Sequence, residues 1–167
     1  MLVAAMNPCP CGFAGTEIRV CKCATSAIAQ YQRRLSGPLH DRLDLTVEIP
    51  AVPWSDLARE SDGEASAAVR ERVAAARHRQ MARQGLPNAQ IEGRVLRRVC
   101  ATADVRANAL VARSVARLGL SVRGVTRVLR VARTIADLEG ALTVERRHVA
   151  EALQFRQADG VSVVAKV

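Results

Sequence analysis

The feature that most constrains the fold of this chain is a group of four cysteines within fifteen residues near its start. Cys9, Cys11, Cys21 and Cys23 form the pattern C-x-C-x9-C-x-C. Zinc binds four thiolates at tetrahedral positions, and the two arms of a hairpin can supply them. Each pair has one intervening residue rather than the two to four of common zinc knuckles, so a bend at Pro10 is needed. The cluster predicts a structural zinc site, with a redox-active or merely tolerated cluster as the alternative.

The charge of the chain is +9 and is unevenly distributed. Residues 1–50 contain five Lys/Arg and four Asp/Glu, a balance of +1, whereas residues 51–167 contain twenty and twelve, a balance of +8. A basic half indicates a polyanion partner such as DNA. A general preference for arginine explains the same numbers, because Lys22 and Lys166 are the only lysines. Aromatic residues make up 2%, which disfavours binding of single strands by base stacking.

Two absences in the sequence predict a cytoplasmic protein. No run of about 18 apolar residues occurs, so no transmembrane helix and no membrane partner are expected. The start of the chain lacks a charged segment, and its apolar part is too short for a signal peptide. In the cytoplasm the five cysteines stay reduced, which favours a metal over disulfides. Cys100 stands alone and is expected in the core.

The hydrophobic pattern divides the chain into four parts. Residues 1–50 contain a continuous apolar run at 2–6 and an alternating run at 43–49, both predicted strands, with a helix over 24–35 between them. A linker over 51–64 contains Pro53. Residues 65–157 are predicted to form an all-helical domain of four or five helices, and residues 158–167 a tail.

Local signals mark the ends of these helices. Asp104 and Ser121 are predicted N-caps, because their side chains can accept hydrogen bonds from the first turn. Gly85, Gly119 and Gly140 are predicted at helix C-termini, where a left-handed residue is common. The last helix is predicted over residues 143–156.

The helix that follows Ser121 has two predicted faces. One is an apolar stripe of five residues, Val122, Val125, Leu129, Ala132 and Ile135. The opposite face carries Arg127 and Arg130, which we expect to be solvated.

Three segments together resemble a known family. They are "LVAAMNPCPCG", "CKCATSAIAQYQRRLSGPLHDRLDL" and "LSVRGVTRVLRVARTIADLEG", and the resemblance extends from Leu2 to about Arg156. The chain resembles the C-terminal half of the magnesium-chelatase-like AAA+ ATPases of the ComM/YifB group. The resemblance implies an α+β fragment: the C-terminal part of an AAA+ α/β core, with two strands and the cysteine knuckle, followed by a helical lid bundle.

The resemblance also assigns three residues to an ATP site. Asn7 falls on the sensor-1 residue at a strand end, where a carboxamide can orient the attacking water. Arg42 falls on an arginine finger presented to the neighbouring subunit, whose guanidinium stabilises charge on the transferred phosphoryl group. Arg123 falls on the sensor-2 contact with the γ-phosphate, beside a helix N-terminus that also favours an anion. The family usually has an aliphatic residue where this chain has His40.

Two of these residues have simpler interpretations when the resemblance is set aside. A lone asparagine such as Asn7 is typical of turns and caps. Arg42 has Asp41 and Asp44 as neighbours, and a surface ion pair with either is worth under about 1 kcal/mol.

The sequence lacks two parts of an ATPase. No G-x-x-x-x-G-K-[ST] loop occurs, and no acidic strand end precedes Asn7 to hold a metal. By itself the chain is therefore expected to be inactive, so whether it is an enzyme stays open. Met1 falls inside a family strand, from which we expect the natural start to lie upstream. Residues 1–50 are expected to be less stable than the lid, because an isolated strand pair is marginal in water.

The resemblance implies a part of a DNA helicase-like motor linked to competence and recombination. Such a motor forms a ring, which we expect to be hexameric, and uses ATP and Mg²⁺ that bind only with the missing N-terminal portion. Two alternatives remain at this point. One is a stand-alone zinc-knuckle protein that binds nucleic acid, and the other is a non-functional fragment of a disrupted gene.

Overall fold

The structure is a computed structural model that describes residues 2–35, 39, 42–50, 52–58, 63–102 and 104–156. Contacts divide the chain into two compact units. The first, here called the knuckle unit, comprises Met1–His40, Val47–Ser61 and Ala158–Val167. The second, the lid unit, comprises Asp41–Thr46 and Asp62–Gln157. The predicted tail over 158–167 lies outside the described residues.

The described part of the knuckle unit contains two helices, α1 (Thr25–Gln32) and α2 (Trp54–Leu57). Helix α1 confirms the helix predicted over residues 24–35, although it is shorter. Before it, residues 8–23 form turns in which Gly12 and Gly15 have φ of 83° and 75°. These left-handed conformations favour glycine, because a β-carbon would strain the backbone.

The two predicted strands are not confirmed. Among the residues that the structure describes, neither 2–6 nor 43–49 lies in a β-ladder. Val3 and Ile49, expected to face a core, are 81% and 84% exposed. A strand persists only where a neighbouring strand satisfies its backbone groups, and in the described residues these two segments have no such neighbour.

The lid unit is helical, as predicted. Its elements are α3 (Ser66–Gln84), a 3-10 turn (Asn88–Gln90), α4 (Gly93–Val99), α5 (Val105–Leu118), α6 (Val122–Glu139) and α7 (Arg146–Gln154). Helix α6 packs against α3, α4, α7 and the 3-10 turn, and α5 packs against α7. No helix within the described residues is both long enough and apolar enough to cross a membrane.

The predicted helix ends are confirmed at the caps. The Asp104 side chain accepts a hydrogen bond from the Arg106 N–H at 2.8 Å, and the Ser121 hydroxyl accepts one from the Gly124 N–H at 3.1 Å. The three predicted C-terminal glycines, Gly85, Gly119 and Gly140, are left-handed.

The start of the last helix is the exception. It begins at Arg146 rather than near residue 143, because Glu145 is the N-cap and forms a reciprocal capping box with His148. The His148 Nδ1 accepts a hydrogen bond from the Glu145 N–H at 2.9 Å.

The apolar core of the lid unit forms around α6. Seven buried residues make up its main cluster: Ala107, Val128, Ala132, Ile135, Val144, Val149 and Ala152. The predicted stripe is therefore partly wrong, since Val122 is 83% exposed and Val128 is buried in its place. Because α6 has neighbours on several sides, its buried surface is not a single stripe. Cys100 lies in a second core cluster with Ile91 and Leu96, as predicted, and burial raises its pKa to about 11.

A buried polar cluster joins α3, the 3-10 turn and α6. Asp137 accepts hydrogen bonds from Arg83 at 2.6 and 2.9 Å, from Arg133 at 2.9 Å and from Asn88 at 2.8 Å. The Arg133 and Asp137 side chains are only 2% and 1% exposed. Burial disfavours the carboxylate, but these donors outweigh it and lower the pKa of Asp137. The cluster fixes three elements of the lid to one another.

Candidate functional site

The four cysteines of the knuckle unit lie together. Their Sγ atoms are all within 4.8 Å of one another. The Sγ of Cys9 is 3.4 Å from that of Cys11 and 3.7 Å from that of Cys21, and the Cys11–Cys21 separation is 3.6 Å. A zinc–sulfur bond of about 2.3 Å places tetrahedral sulfurs about 3.8 Å apart. The observed separations are close to that value, so the group has the dimensions of a four-sulfur metal site.

Backbone N–H groups point at these sulfurs. The Ala14 N–H donates to the Cys9 Sγ at 3.3 Å in the buried part of the loop. A hydrogen bond from the Phe13 backbone, with a further one from Cys9, lowers the pKa of the Cys11 thiol to about 6. The neighbouring Cys11 thiol raises the pKa of Cys23 to about 12. The hydrogen bonds from Phe13 and Cys9 thus favour the thiolate form of Cys11, which is the form that binds a metal.

Asn7 lies directly before the cysteine loop, and it is exposed. A β-carbon at Gly12 would lie 3.9 Å from both Cγ and Nδ2 of Asn7, so the carboxamide lies beside Gly12. The Gly12 N–H donates to the Cys9 carbonyl at 3.0 Å and closes the turn. The Asn7 side chain therefore lies beside the turn that carries the first two cysteines.

Arg42 and Arg123 both lie in the lid unit, and both are exposed. Arg42 is in a turn, whereas Arg123 is in the first turn of α6. His40 and Asp41, on which two sequence interpretations depended, are outside the described residues. Asp44, the other carboxylate near Arg42, forms an ion pair with Arg127.

The expectation of a solvated basic face on α6 is wrong. The Arg127 Nη1 lies 2.6 Å from the Asp44 Oδ1, and the Arg127 side chain is only 19% exposed. Arg130 donates to the Ile91 carbonyl from Nε at 3.1 Å and from Nη2 at 2.8 Å. Both arginines bind other segments of the lid unit. Their role is therefore to hold those segments against α6.

Sequence reasoning missed the residues that attach the segment around Arg42 to the lid. Besides the ion pair of Asp44 with Arg127, the Thr46 N–H donates to the Phe155 carbonyl at 3.1 Å. One sequence signal bore on this attachment. Arg127 follows Arg123 by four residues, so both lie on the same side of α6, and a segment bound to Arg127 lies near Arg123 as well.

Comparison with known families gives two adjacent matches. The family described as "Magnesium chelatase, subunit ChlI C-terminal" matches residues 63–156. The family described as "Magnesium chelatase, subunit ChlI" matches residues 1–57.

Curated relatives match nearly the whole chain. This chain is 45% identical over 157 residues to "Competence protein ComM" of Haemophilus influenzae, and the alignment covers 93% of this chain and 30% of the relative. This chain is 44% identical over 160 residues to the uncharacterized protein YifB of Salmonella typhimurium, and the alignment covers 95% of this chain and 31% of the relative. An uncharacterized protein of Mycobacterium tuberculosis is 41% identical to this chain over 162 residues, and the alignment covers 93% of this chain and 31% of the relative. The chain thus spans less than a third of the length of these relatives.

Proposed function

Because this chain belongs to the ComM/YifB family of magnesium-chelatase-like proteins, we propose that it forms the sensor, arginine-finger and lid part of an ATP-hydrolysing ring motor. One observation carries the proposal. The exposed Arg42 and the exposed Arg123 lie in one compact unit, and the ion pair between Asp44 and Arg127 joins the segments that carry them. An arginine finger and a sensor need this kind of fixed but accessible placement.

Arg42 is proposed to act on the ATP site of the neighbouring subunit. Its guanidinium keeps its charge at any physiological pH and has a planar array of donors that suits phosphate oxygens. Arg42 lies in an exposed turn, which is where a residue that reaches another subunit must be. In the ring its charge would offset negative charge that develops on the transferred phosphoryl group.

Arg123 and Asn7 are proposed to act on the ATP site of their own subunit. Arg123 is in the first turn of α6, where free backbone N–H groups and the helix dipole also favour an anion. The Asn7 carboxamide, which lies beside Gly12, would orient a water molecule for attack on the γ-phosphate.

This chain does not by itself contain the groups that hold ATP and its metal. It has no phosphate-binding G-x-x-x-x-G-K-[ST] loop. Bound Mg²⁺ would supply charge neutralisation at the phosphates, on a segment that this chain lacks. We therefore propose that residues 1–167 hydrolyse ATP only together with such a segment.

DNA is the proposed partner of the motor, in the cytoplasm and in a hexameric ring. A competence protein among the relatives supports a role in DNA processing. The balance of +8 over residues 51–167 supports contact with a polyanion.

The cysteine cluster favours a second candidate, a stand-alone protein that binds nucleic acid through a zinc knuckle. The isolated chain would then bind DNA in a manner that weakens with salt and that a chelator abolishes. The motor proposal instead assigns salt-dependent DNA binding to the lid unit. It therefore predicts that a chelator leaves this DNA binding unchanged.

A chimera tests the proposed function. This chain would replace the matching 30% of Haemophilus influenzae ComM, and ATP turnover would be measured with and without DNA. We expect turnover, and we expect Arg42→Ala to reduce kcat about 10³-fold or more. Arg113→Ala removes a similarly exposed arginine from α5 and should leave kcat unchanged. Turnover that is insensitive to Arg42→Ala would contradict the proposal.

A further inference from the structure

We infer that Cys9, Cys11, Cys21 and Cys23 together hold one zinc ion, and that this ion fixes the turn beside which Asn7 lies. The consequence for Asn7 as a sensor rests on the function proposed above, whereas the metal site itself does not.

The mutual distances favour one central ion over two disulfides. Disulfides join sulfurs in pairs, whereas here Cys9, Cys11 and Cys21 are nearly equidistant at 3.4–3.7 Å. The fourth sulfur, of Cys23, completes a group within 4.8 Å. A single ion about 2.3 Å from each sulfur accounts for this arrangement, because tetrahedral ligands surround a shared centre.

The loop has almost no core of its own. Among residues 8–23, only Cys9 and Ala14 are buried, while Ile18 and Val20 are exposed. A segment that buries so little apolar surface needs a crosslink or a metal to keep one conformation. The sulfurs are at the point where such a link would join both ends of the loop.

The ligand atoms select the metal. Four thiolates suit zinc, whereas Mg²⁺ prefers oxygen ligands, so this site is distinct from the one for the magnesium of ATP. The Ala14 N–H, which donates to the Cys9 sulfur at 3.3 Å, would stabilise a negatively charged ligand. Cys11 is exposed, which leaves a path for the ion.

The site links the Asn7 turn to α1. Cys21 and Cys23 precede Thr25, the first residue of α1, and the Gln32 side chain donates to the Pro8 carbonyl at 3.4 Å. Zinc would therefore fasten the turn beside Asn7 to the N-terminal end of α1, while the Gln32 hydrogen bond holds it to the C-terminal end. Loss of the ion would free that turn.

The experiment measures zinc bound to the purified 167-residue chain under reducing conditions. We expect one zinc per chain by elemental analysis, and the visible absorption of tetrahedral thiolate-bound Co²⁺ when cobalt is used as the probe. Cys11→Ser combined with Cys21→Ser should weaken zinc binding by more than about 100-fold, since even outer-shell changes cost roughly 10–100-fold. Cys100→Ala removes a cysteine outside the cluster and should still bind one zinc.

Two further measurements keep the result interpretable. Far-UV circular dichroism, dominated by the lid helices, should be the same for all variants, which shows that they fold. The side-chain amide resonance of Asn7, identified through its loss in Asn7→Ala, should shift when zinc is added to the wild-type chain and should not shift in the double variant.

Each outcome has a definite meaning. A wild-type chain that binds no zinc, or a double variant that binds it unchanged, overturns the metal site. Zinc binding without a shift of the Asn7 amide overturns the link to Asn7. An inactive ComM chimera with intact zinc binding would instead count against the proposed motor function.

Discussion

Arg127 and Asp44 form an ion pair in the lid unit, with 2.6 Å between Nη1 and Oδ1. Asp44 is two residues after Arg42, and Arg127 is one turn of α6 after Arg123. The pair therefore connects the proposed finger segment to the proposed sensor helix. The Asp44 side chain is 59% exposed, so the pair adds under about 1 kcal/mol to stability. We propose that it matters instead for the position of Arg42, two residues before Asp44.

The first prediction concerns this pair. In the ComM chimera, Asp44→Asn and Arg127→Gln should each lower kcat with little effect on KM, because the finger is no longer held in place. The double variant should be no worse than either single variant, since the two act through one contact. These kcat and KM values are measured from steady-state ATP turnover of the unsubstituted chimera, the two single variants and the double variant.

The matched control for that prediction is Glu64→Gln. It removes another ion pair of the lid unit, in which the Arg72 Nη1 lies 2.7 Å from the Glu64 Oε1 and neither residue belongs to the segments that carry Arg42 and Arg123. An unchanged kcat in Asp44→Asn, or a similar loss in Glu64→Gln, would show that the ion pair does not position the finger.

The second prediction is that Asp137→Ala destabilises the lid by about 3–5 kcal/mol. The substitution leaves Arg133, a charge that is almost fully buried, without its carboxylate partner. Urea unfolding of the chain, followed by far-UV circular dichroism, measures the free energy of unfolding. Glu64→Gln serves again as control and should lower the free energy of unfolding by under about 1 kcal/mol. A similar loss in both variants would contradict the claim that burial makes the Arg133–Asp137 pair important for stability.

The third prediction is a pH dependence from the same carboxyl group. Hydrogen bonds from Arg83 and Asn88, opposed by burial, lower the pKa of Asp137 in the folded state. Its contribution to stability is therefore complete above the unfolded-state pKa of about 3.9 and is lost as pH falls toward the folded-state pKa. Stability measured from pH 7 to pH 2 should fall less steeply in Asp137→Asn than in the wild type. Equal slopes would contradict this assignment.

The fourth prediction concerns Asp104, which caps two helices. Its Oδ1 accepts from the Arg106 N–H at 2.8 Å in α5, and its Oδ2 accepts from the Arg146 N–H at 3.2 Å in α7. Asp104→Ala should cost about 2 kcal/mol, more than the roughly 1 kcal/mol expected for the single cap lost in Ser121→Ala. Chemical denaturation compares the two, and an equal cost would mean that the contact with α7 contributes nothing.

The part of the fold that local signals determine could be predicted from the sequence. Asp104, Ser121 and the C-terminal glycines mark helix ends through contacts within a few residues, so the helical lid was predictable. The cysteine cluster was also predictable, because four ligands so close in sequence have few other arrangements. The roles of Asn7, Arg42 and Arg123 stay predictions.

Features that depend on distant segments could not be predicted in this way. The segments at 2–6 and 43–49 have strand-like patterns, but a strand needs a neighbour that no pattern within the segment specifies. Arg127 and Arg130 lie opposite an apolar stripe and were expected to be solvated. Their partners, Asp44 and the Ile91 carbonyl, are 83 and 39 residues away in sequence.

The buried polar cluster escaped prediction for a related reason. Periodicity assigns charged residues such as Arg133 and Asp137 to the surface of a helix. They are buried because Arg83 of α3 and Asn88 of the 3-10 turn complete the hydrogen bonds of the Asp137 carboxylate. A pair spaced at i and i+4 with opposite charges is compatible with either location.

The account depends most on the claim that Arg42 serves a neighbouring subunit while Asn7 serves its own. Mixed assemblies of two inactive ComM chimeras, one with Asn7→Ala and the other with Arg42→Ala, test it directly. In a ring of head-to-tail interfaces, random mixing pairs an intact Asn7 with an intact Arg42 at about a quarter of the sites. We predict that the mixture regains ATP turnover near that fraction of the unsubstituted chimera. A mixture no more active than its two components would contradict the account.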